Sequence, residues 1–384
     1  MTLSTALETQ INEFIQKLKR RQVVGSFFVA RETAIILRQV VSTTRWRDAN
    51  ELIDVITRIG SNLASAQPNE FAIGNIVKRV LKVIREVSRV EINIDNSTEI
   101  ATPDDSSFSE DEGHYQSVHN ISEARPGLST QQSMFRLLSD THQNKTEKKI
   151  QDAYHLKPLV IQEITEEIIA DLDTKDTASI YKGIADQALD FIHANEVIMT
   201  IGISRTVQEF LMKAAQKRKV QVLVAETAPT YQGHKMALLL SQAGIDTTVI
   251  ADSAIFAAMP RVNKVVLGAH AVLANGALVS VSGSHLLASA AKHHSTPVLV
   301  CTALYKLSPL FAYDAAAFNI TVSPQNVMSF QEGDIINNVT ITNPYYDYVG
   351  PDYVSLFIHN LGSAPPTYIY RLINDNYDGE DTTL

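Results

Sequence analysis

Five short apolar runs, Val197–Ile201, Val220–Val224, Thr247–Ile250, Lys264–Leu267 and Val298–Cys301, alternate with stretches of helical spacing in the second half of the chain. None alternates strictly between apolar and polar residues, so each reads as a strand covered on both faces; helical connections between such strands imply parallel pairing. An α/β fold with a Rossmann-like parallel-sheet domain over 196–384 is therefore predicted. In open sheets of this kind ligands bind outside the carboxyl ends of the strands, which directs attention to the loop after Lys264–Leu267.

The first half reads as helical. Leu7, Ile11, Phe14, Ile15 and Leu18 share one helix face, with Lys17, Lys19, Arg20 and Arg21 gathered where a helix C-terminus favours cations. Further helical patterns cover Ala34–Val41, Ala49–Ile59 and Ile76–Val87, with breaks at Ser42–Arg45 and Gln67–Asn69, so 1–94 is expected to form a helical domain. From 95 to 145 the periodicity lapses, and residues 99–126 hold seven acids against the single Arg125. Such a composition cannot bury enough apolar surface to offset its ordering entropy, and the expectation is a flexible acidic insertion. Helical spacing resumes over 146–195, at Leu159, Ile164, Ile168 and Leu172 and then Ile180, Ile184, Ala188 and Phe191, a helical bridge belonging to the helical domain.

With 384 residues of which 45% are apolar, the chain can bury a sizeable core. Its formal charge of −9 argues against direct nucleic-acid binding. One cysteine, no secretory apolar segment and no run of eighteen apolar residues point to a cytosolic protein with no membrane partner.

Residues that could carry chemistry are few. Cys301 ends an apolar strand and reads as a buried, inert thiol. His285, His293 and His294 lack a Cys or carboxylate at metal-ligand spacing. Ser204 reads as a helix N-cap, and His270, after the fourth strand, as a packing or subunit contact before a base. Phosphate-binding glycine loops and a nucleophile elbow are missing from the sequence. No catalytic residue, cofactor site or metal site is predicted.

Long motifs carry a resemblance. The segments ANGAL (Ala274–Leu278), AAKHHSTP (Ala290–Pro297) and KLSP (Lys306–Pro309), and the blocks beginning IMTIGISRTVQEFL at Ile198, AETAPTYQGHK at Ala225 and NPYYDYVGPDY at Asn343, resemble the regulatory-subunit family of translation initiation factor 2B, its beta branch in particular. That family is related to ribose-1,5-bisphosphate and methylthioribose-1-phosphate isomerases. The resemblance implies a regulatory, non-catalytic subunit of the guanine nucleotide exchange factor for initiation factor 2. Its implied partners are the alpha, gamma, delta and epsilon subunits and initiation factor 2 itself, whose alpha subunit is sensed when phosphorylated.

The isomerases supply the test of that implication. Their thiol position after the first strand is Gly202 here, and their carboxylate position is His270. Their E-T-R-P arginine is Ala228, and their N-K-I-G-T lysine is Val281. With Ala277 in the downstream loop, these five residues are expected to line a degenerate ligand pocket. The resemblance places subunit contacts at Asn195 and Gln221, expected at exposed sheet edges. The clustered Tyr345, Tyr346, Tyr348 and Tyr368, apolar rings with hydrogen-bonding tips, suit an interface.

Overall fold

The computed structural model describes residues 4–98 apart from Val24 and Arg47, then 156–169, Leu172, 178–312, Asp314 and 319–381, with side chains beyond Arg89 in the first stretch left out. The expected acidic insertion lies outside the described residues, save for helix backbone through Thr98.

Helices α1 (Thr5–Lys19), α2 (Ser26–Thr43), α3 (Ala49–Ala66) and α4 (Phe71–Thr98) come first. Ser4 starts α1 by accepting the Leu7 amide, Glu8 and Lys17/Lys19 sit at the ends their charges favour, and Leu7, Ile11, Phe14 and Leu18 are buried. The helices run longer than their apolar patterns predict, because Ser26, Phe27, Val29 and Ala30 extend the buried face of α2 and Leu63 that of α3. Beyond the insertion follow α5 (Lys157–Glu163), continuing as the π-helical turn Ile164–Ile169, then α6 (Ala178–Asp186) and α7 (Ala188–Phe191).

The remainder is the predicted sheet with additions. In chain order its elements are β1 (Glu196–Ile201), α8 (Arg205–Ala215), β2 (Val220–Ala225), α9 (Gln232–Gln242), β3 (Asp246–Ile250), α10 (Ile255–Ala258), β4 (Lys264–Gly268), β5 (Ala271–Val272), β6 (Leu278–Val281), α11 (Ser284–His293) and β7 (Val298–Cys301). They are followed by α12 (Gly333–Asn338), β8 (Tyr346–Val349), β9 (Leu356–His359), β10 (Gly362–Ala364) and α13 (Ile369–Asn376). Seven strands form the main sheet in the order β10-β9-β7-β4-β1-β2-β3, parallel except for the β9–β10 hairpin. The others form a small antiparallel sheet, β5-β6-β8.

Strand periodicity divides the interior in two. Ile198, Val222, Val224, Val266, Leu299 and Ile358 face one side and share a hydrophobic cluster with the buried residues of α1–α6. Met199, Ile201, Leu223, Val265, Leu267 and Phe357 face the other, against α10, α11 and α13. A third cluster sets Phe71, the first residue of α4, on Ala271, Leu273, Ala277 and Val279 of the small sheet and its turn.

Two expectations need correction. β3 is an edge strand with Asp246, Thr248 and Val249 exposed, where coverage on both faces is expected from its apolar run. Gln221 is not at a sheet edge: it lies inside the sheet between Val197 of β1 and Asp246 of β3. The edges are β3 and β10, and neither Asn195 nor Gln221 belongs to them.

Candidate functional site

The chain order of the strands reverses at β1 and β4. From β1 the chain winds outward through β2 to β3, then returns to place β4 on the other side of β1. The turns after β1 and β4 therefore diverge and open a crevice at the carboxyl end of the sheet. Here lies a cleft of about 690 Å³, bounded by Ile203–Thr206 after β1, Gly268–His270 after β4, Ser280 and Val281 at the end of β6, and Tyr345 and Tyr346. Its opposite wall comes from the α1–α2 turn, the α3–α4 turn and Tyr305–Lys306. Lys19, Arg21, Arg205 and Lys306 face it with Glu70 as the lining carboxylate, so the lining is net cationic.

His270 stands at the centre, and both of its nitrogens are engaged. Nε2 lies 3.2 Å from the Asn69 carbonyl, which can only accept, so Nε2 carries the proton. Nδ1 is then the acceptor, with the Ser26 hydroxyl at 3.2 Å and the Tyr346 hydroxyl at 3.3 Å as donors. Tyr346 also lies nearly flat on the imidazole, with centroids 4.3 Å apart, and the Phe71 ring meets it edge-on at 6.0 Å. Burial pushes the His270 pKa down, and Lys306 adds to that while Glu70 opposes it. A neutral imidazole with one donor and one acceptor already matched suits a positioned contact; a general base needs a free lone pair facing substrate.

Lys306 is the second notable group. Burial brings its pKa down to about 8, and its Nζ donates to the Ala269 carbonyl at 2.6 Å. Tyr305 and Tyr346 are raised by burial, so their phenols stay protonated.

Gly202 has φ +72°, and a Cβ there would lie 2.8 Å from Val281 Cγ1. Its amide donates to Thr227 Oγ1 at 2.8 Å. Gly268 is required for another reason: a Cβ would meet Ser204 Oγ at 2.5 Å, and Ser204 is the N-cap of α8, accepting from the Val207 amide. Two other runs of backbone donors near the strand ends are filled from within the chain. Asp252 accepts from the Thr227 and Ala228 amides at 2.9 and 2.6 Å, and Asp347 from the Gly283 and His285 amides at 2.7 and 3.1 Å.

Of the five expected pocket residues, His270 and Val281 line the cleft and Gly202 packs beneath Val281. Ala228 is exposed on the turn after β2, and Ala277 is wholly buried with Phe71 and Val279, because the ANGAL turn faces the helical layer. Of the expected interface residues, Asn195 is exposed and Gln221 half-buried. Tyr345, Tyr346 and Tyr348 are half-buried within their own chain: Tyr346 on His270, Tyr345 against Tyr346 and Gln232, and Tyr348 accepting from Asn275. Tyr368 remains 39% exposed, beside the exposed Tyr370 and Phe311. Ser26, Asn69, Phe71 and Lys306 are absent from the sequence-based site. Ser26 and Asn69 are 244 and 201 positions from His270, and no local pattern could pair them with it.

Cys301 is fully buried, and burial raises its thiol well above the usual range. Among the described residues no group of three or more His, Cys, Asp or Glu side chains could share a metal ion, and no helix is long and apolar enough to cross a membrane.

Comparison with known proteins gives a consistent outcome. Residues 22–366 match the family model described as Initiation factor 2 subunit family. The chain is 44% identical over 387 residues to translation initiation factor eIF2B subunit beta of Schizosaccharomyces pombe, covering 97% of both chains. It is 45% identical over 373 residues to the Dictyostelium discoideum protein of the same name, covering 96% of this chain and 95% of the other. Ribose 1,5-bisphosphate isomerase of Archaeoglobus fulgidus is 31% identical over 180 residues, covering 46% of this chain and 56% of the enzyme. Among solved structures, eIF2B beta of Chaetomium thermophilum superimposes with a TM-score of 0.70 at 29% identity, covering 98% of this chain and 94% of that one. A chain of the tetrameric eIF2B-beta2-delta2 complex from C. thermophilum gives 0.66 at 27% identity, covering 97% and 95%. The cleft, with the engaged His270 at its centre, thus sits in a chain that belongs to the Initiation factor 2 subunit family.

Proposed function

We propose that this chain is a beta-type regulatory subunit of the exchange factor acting on translation initiation factor 2, assembling with delta and through it with the alpha, gamma and epsilon subunits. The observation that carries the reading is near-full-length identity of 44–45% to two proteins named eIF2B subunit beta. The solved beta2-delta2 assembly supports delta as the direct partner. The chain acts in the cytosol, contributes no reacting group to exchange, and helps to register phosphorylation on the alpha subunit of factor 2.

The site geometry supports the non-catalytic part. Aldose–ketose interconversion moves a proton between adjacent carbons and needs a positioned acid and base. Gly202 offers no side chain, and His270 is held by Asn69, Ser26 and Tyr346. Co-expression with a delta-type subunit tests the assembly: the two should co-purify in equal amounts, and a chain that stays monomeric beside delta sinks the reading. Charge reversal at the exposed Glu166 should alter inhibition by phosphorylated factor 2 with assembly intact. An unchanged response would move the sensing surface elsewhere.

A further inference from the structure

Between β7 and β8 the chain makes an excursion whose base is closed by its own backbone. Thr321 and Pro344 form an antiparallel bridge, the Val322 amide donates to the Asn343 carbonyl at 2.9 Å, and Tyr345 donates to Ile320 at 2.9 Å. The Asn343 side chain ties the same base by donating to Ser323 O at 2.9 Å. Beyond that neck, no described side chain from Pro324 to Thr342 is buried. The arm nevertheless carries Val327 (47% exposed), Phe330 (56%), Ile335 (40%) and Val339 (54%). Single exposed apolar residues need no explanation, but four large ones on an arm whose described side chains are at most half-buried mark a surface to be covered.

Charge says what covers it. From Leu307 to Tyr370 the sequence has no Lys or Arg, while it carries Asp314, Glu332, Asp334, Asp347 and Asp352. Asp347 is consumed internally on the α11 backbone, whereas Glu332 is exposed on the arm itself. An acidic, apolar tip is complementary to an apolar groove rimmed by Lys and Arg, and disfavours a second copy of the same acidic arm.

We infer that the 321–344 arm is a docking element for a different folded protein that presents a basic-rimmed apolar groove. The inference rests on the subunit reading above, since it adds a second contact to a chain already held in an assembly. Phe330 and Val339 are the anchors, and Glu332 supplies attraction that salt screens.

The test compares the wild-type chain with Phe330→Ser/Val339→Ser and with Glu332→Lys. Each is co-expressed first with delta alone and then with the alpha, gamma, delta and epsilon subunits together. Both variants should keep the wild-type melting temperature, and one subunit should be lost from the complex or bind at least tenfold more weakly. The loss caused by Glu332→Lys should deepen at low salt. Wild-type recovery of every subunit by both variants overturns the docking role while leaving the subunit reading standing. A wild-type chain that captures no subunit sinks that reading and this one with it. Self-association of the wild-type chain that the double serine variant abolishes makes the occupant a second copy and also overturns the inference.

Discussion

Arg85 holds Asp381 with two nitrogens, Nε 3.2 Å from one carboxylate oxygen and Nη2 2.9 Å from the other. The pair joins the middle of α4 to the end of the described chain, and Arg89 adds a 3.0 Å pair to Asp378. Asp381 is 6% exposed, so removing its partner leaves a carboxylate out of water with its main counter-charge gone. Arg85→Met should cost about 2–3 kcal/mol in chemical denaturation. Adding Asp381→Asn should recover part of that loss; full additivity of the two substitutions would show that the pair is not coupled.

Acid should destabilise the protein through His270. Its folded pKa is lowered by burial, so below about pH 6.5 the unfolded chain binds the proton that the folded chain refuses, and stability falls with pH. His359, also lowered by burial, acts in the same sense. Denaturation midpoints between pH 7.5 and 5.5 should therefore drop, with a shallower slope in His270→Gln and shallower still when His359→Gln is added. A slope unchanged by either replacement counts against the assignment.

Alkali should act oppositely over a limited window. Lys78 and Lys306 are both brought down to about 8 by burial, Asp381 partly opposing the effect on Lys78 and Glu70 that on Lys306. Between about pH 8 and 10 the unfolded chain keeps these protons longer than the folded one, so stability from this source rises with pH. Urea midpoints at pH 7.5 and 9.5 read the effect. Lys306→Met should remove about half of the rise, at the cost of the Ala269 hydrogen bond.

A thiol introduced at position 202, where the isomerase resemblance puts a nucleophile, should not produce isomerase chemistry. Gly202→Cys places a side chain at φ +72° and within 2.8 Å of Val281, a strain of about 1–3 kcal/mol. The variant should be less stable, should relax when Val281→Ala is added, and should form no ketose from ribose 1,5-bisphosphate or methylthioribose 1-phosphate. Ketose formation by the wild-type chain, lost on His270→Ala, would return the cleft to the enzymes.

The sequence made the sheet legible because β1, β2, β4 and β7 are largely buried on both faces. Val298–Cys301 is recovered without shift, and β1, β2, β3 and β4 to within one residue at their ends. It concealed β5, β6, β8, β9 and β10, each only two to four residues long and too short to show a period. At the site, His270 was visible as a departure from the isomerase pattern. What holds it was not visible, because Ser26, Asn69 and Tyr346 come from the α2 start, the α3–α4 turn and β8. The tyrosines carry two readings for a physical reason: an amphipathic ring suits an interior polar contact as well as a subunit boundary.

The hydrophobic cluster that runs from Leu7 through α4 to Val222 and Leu299 has a consequence for anyone wishing to borrow half of this protein. A chain begun at Glu196 would uncover Ile198, Val222, Val224, Val266, Leu299 and Ile358 along one broad stripe. The helices alone would be left without the floor they rest on. The protein cannot be shortened to its sheet or to its helices and still be a tractable molecule. Heat should melt both halves at one temperature, and inherited or engineered damage to either will be felt as loss of the whole.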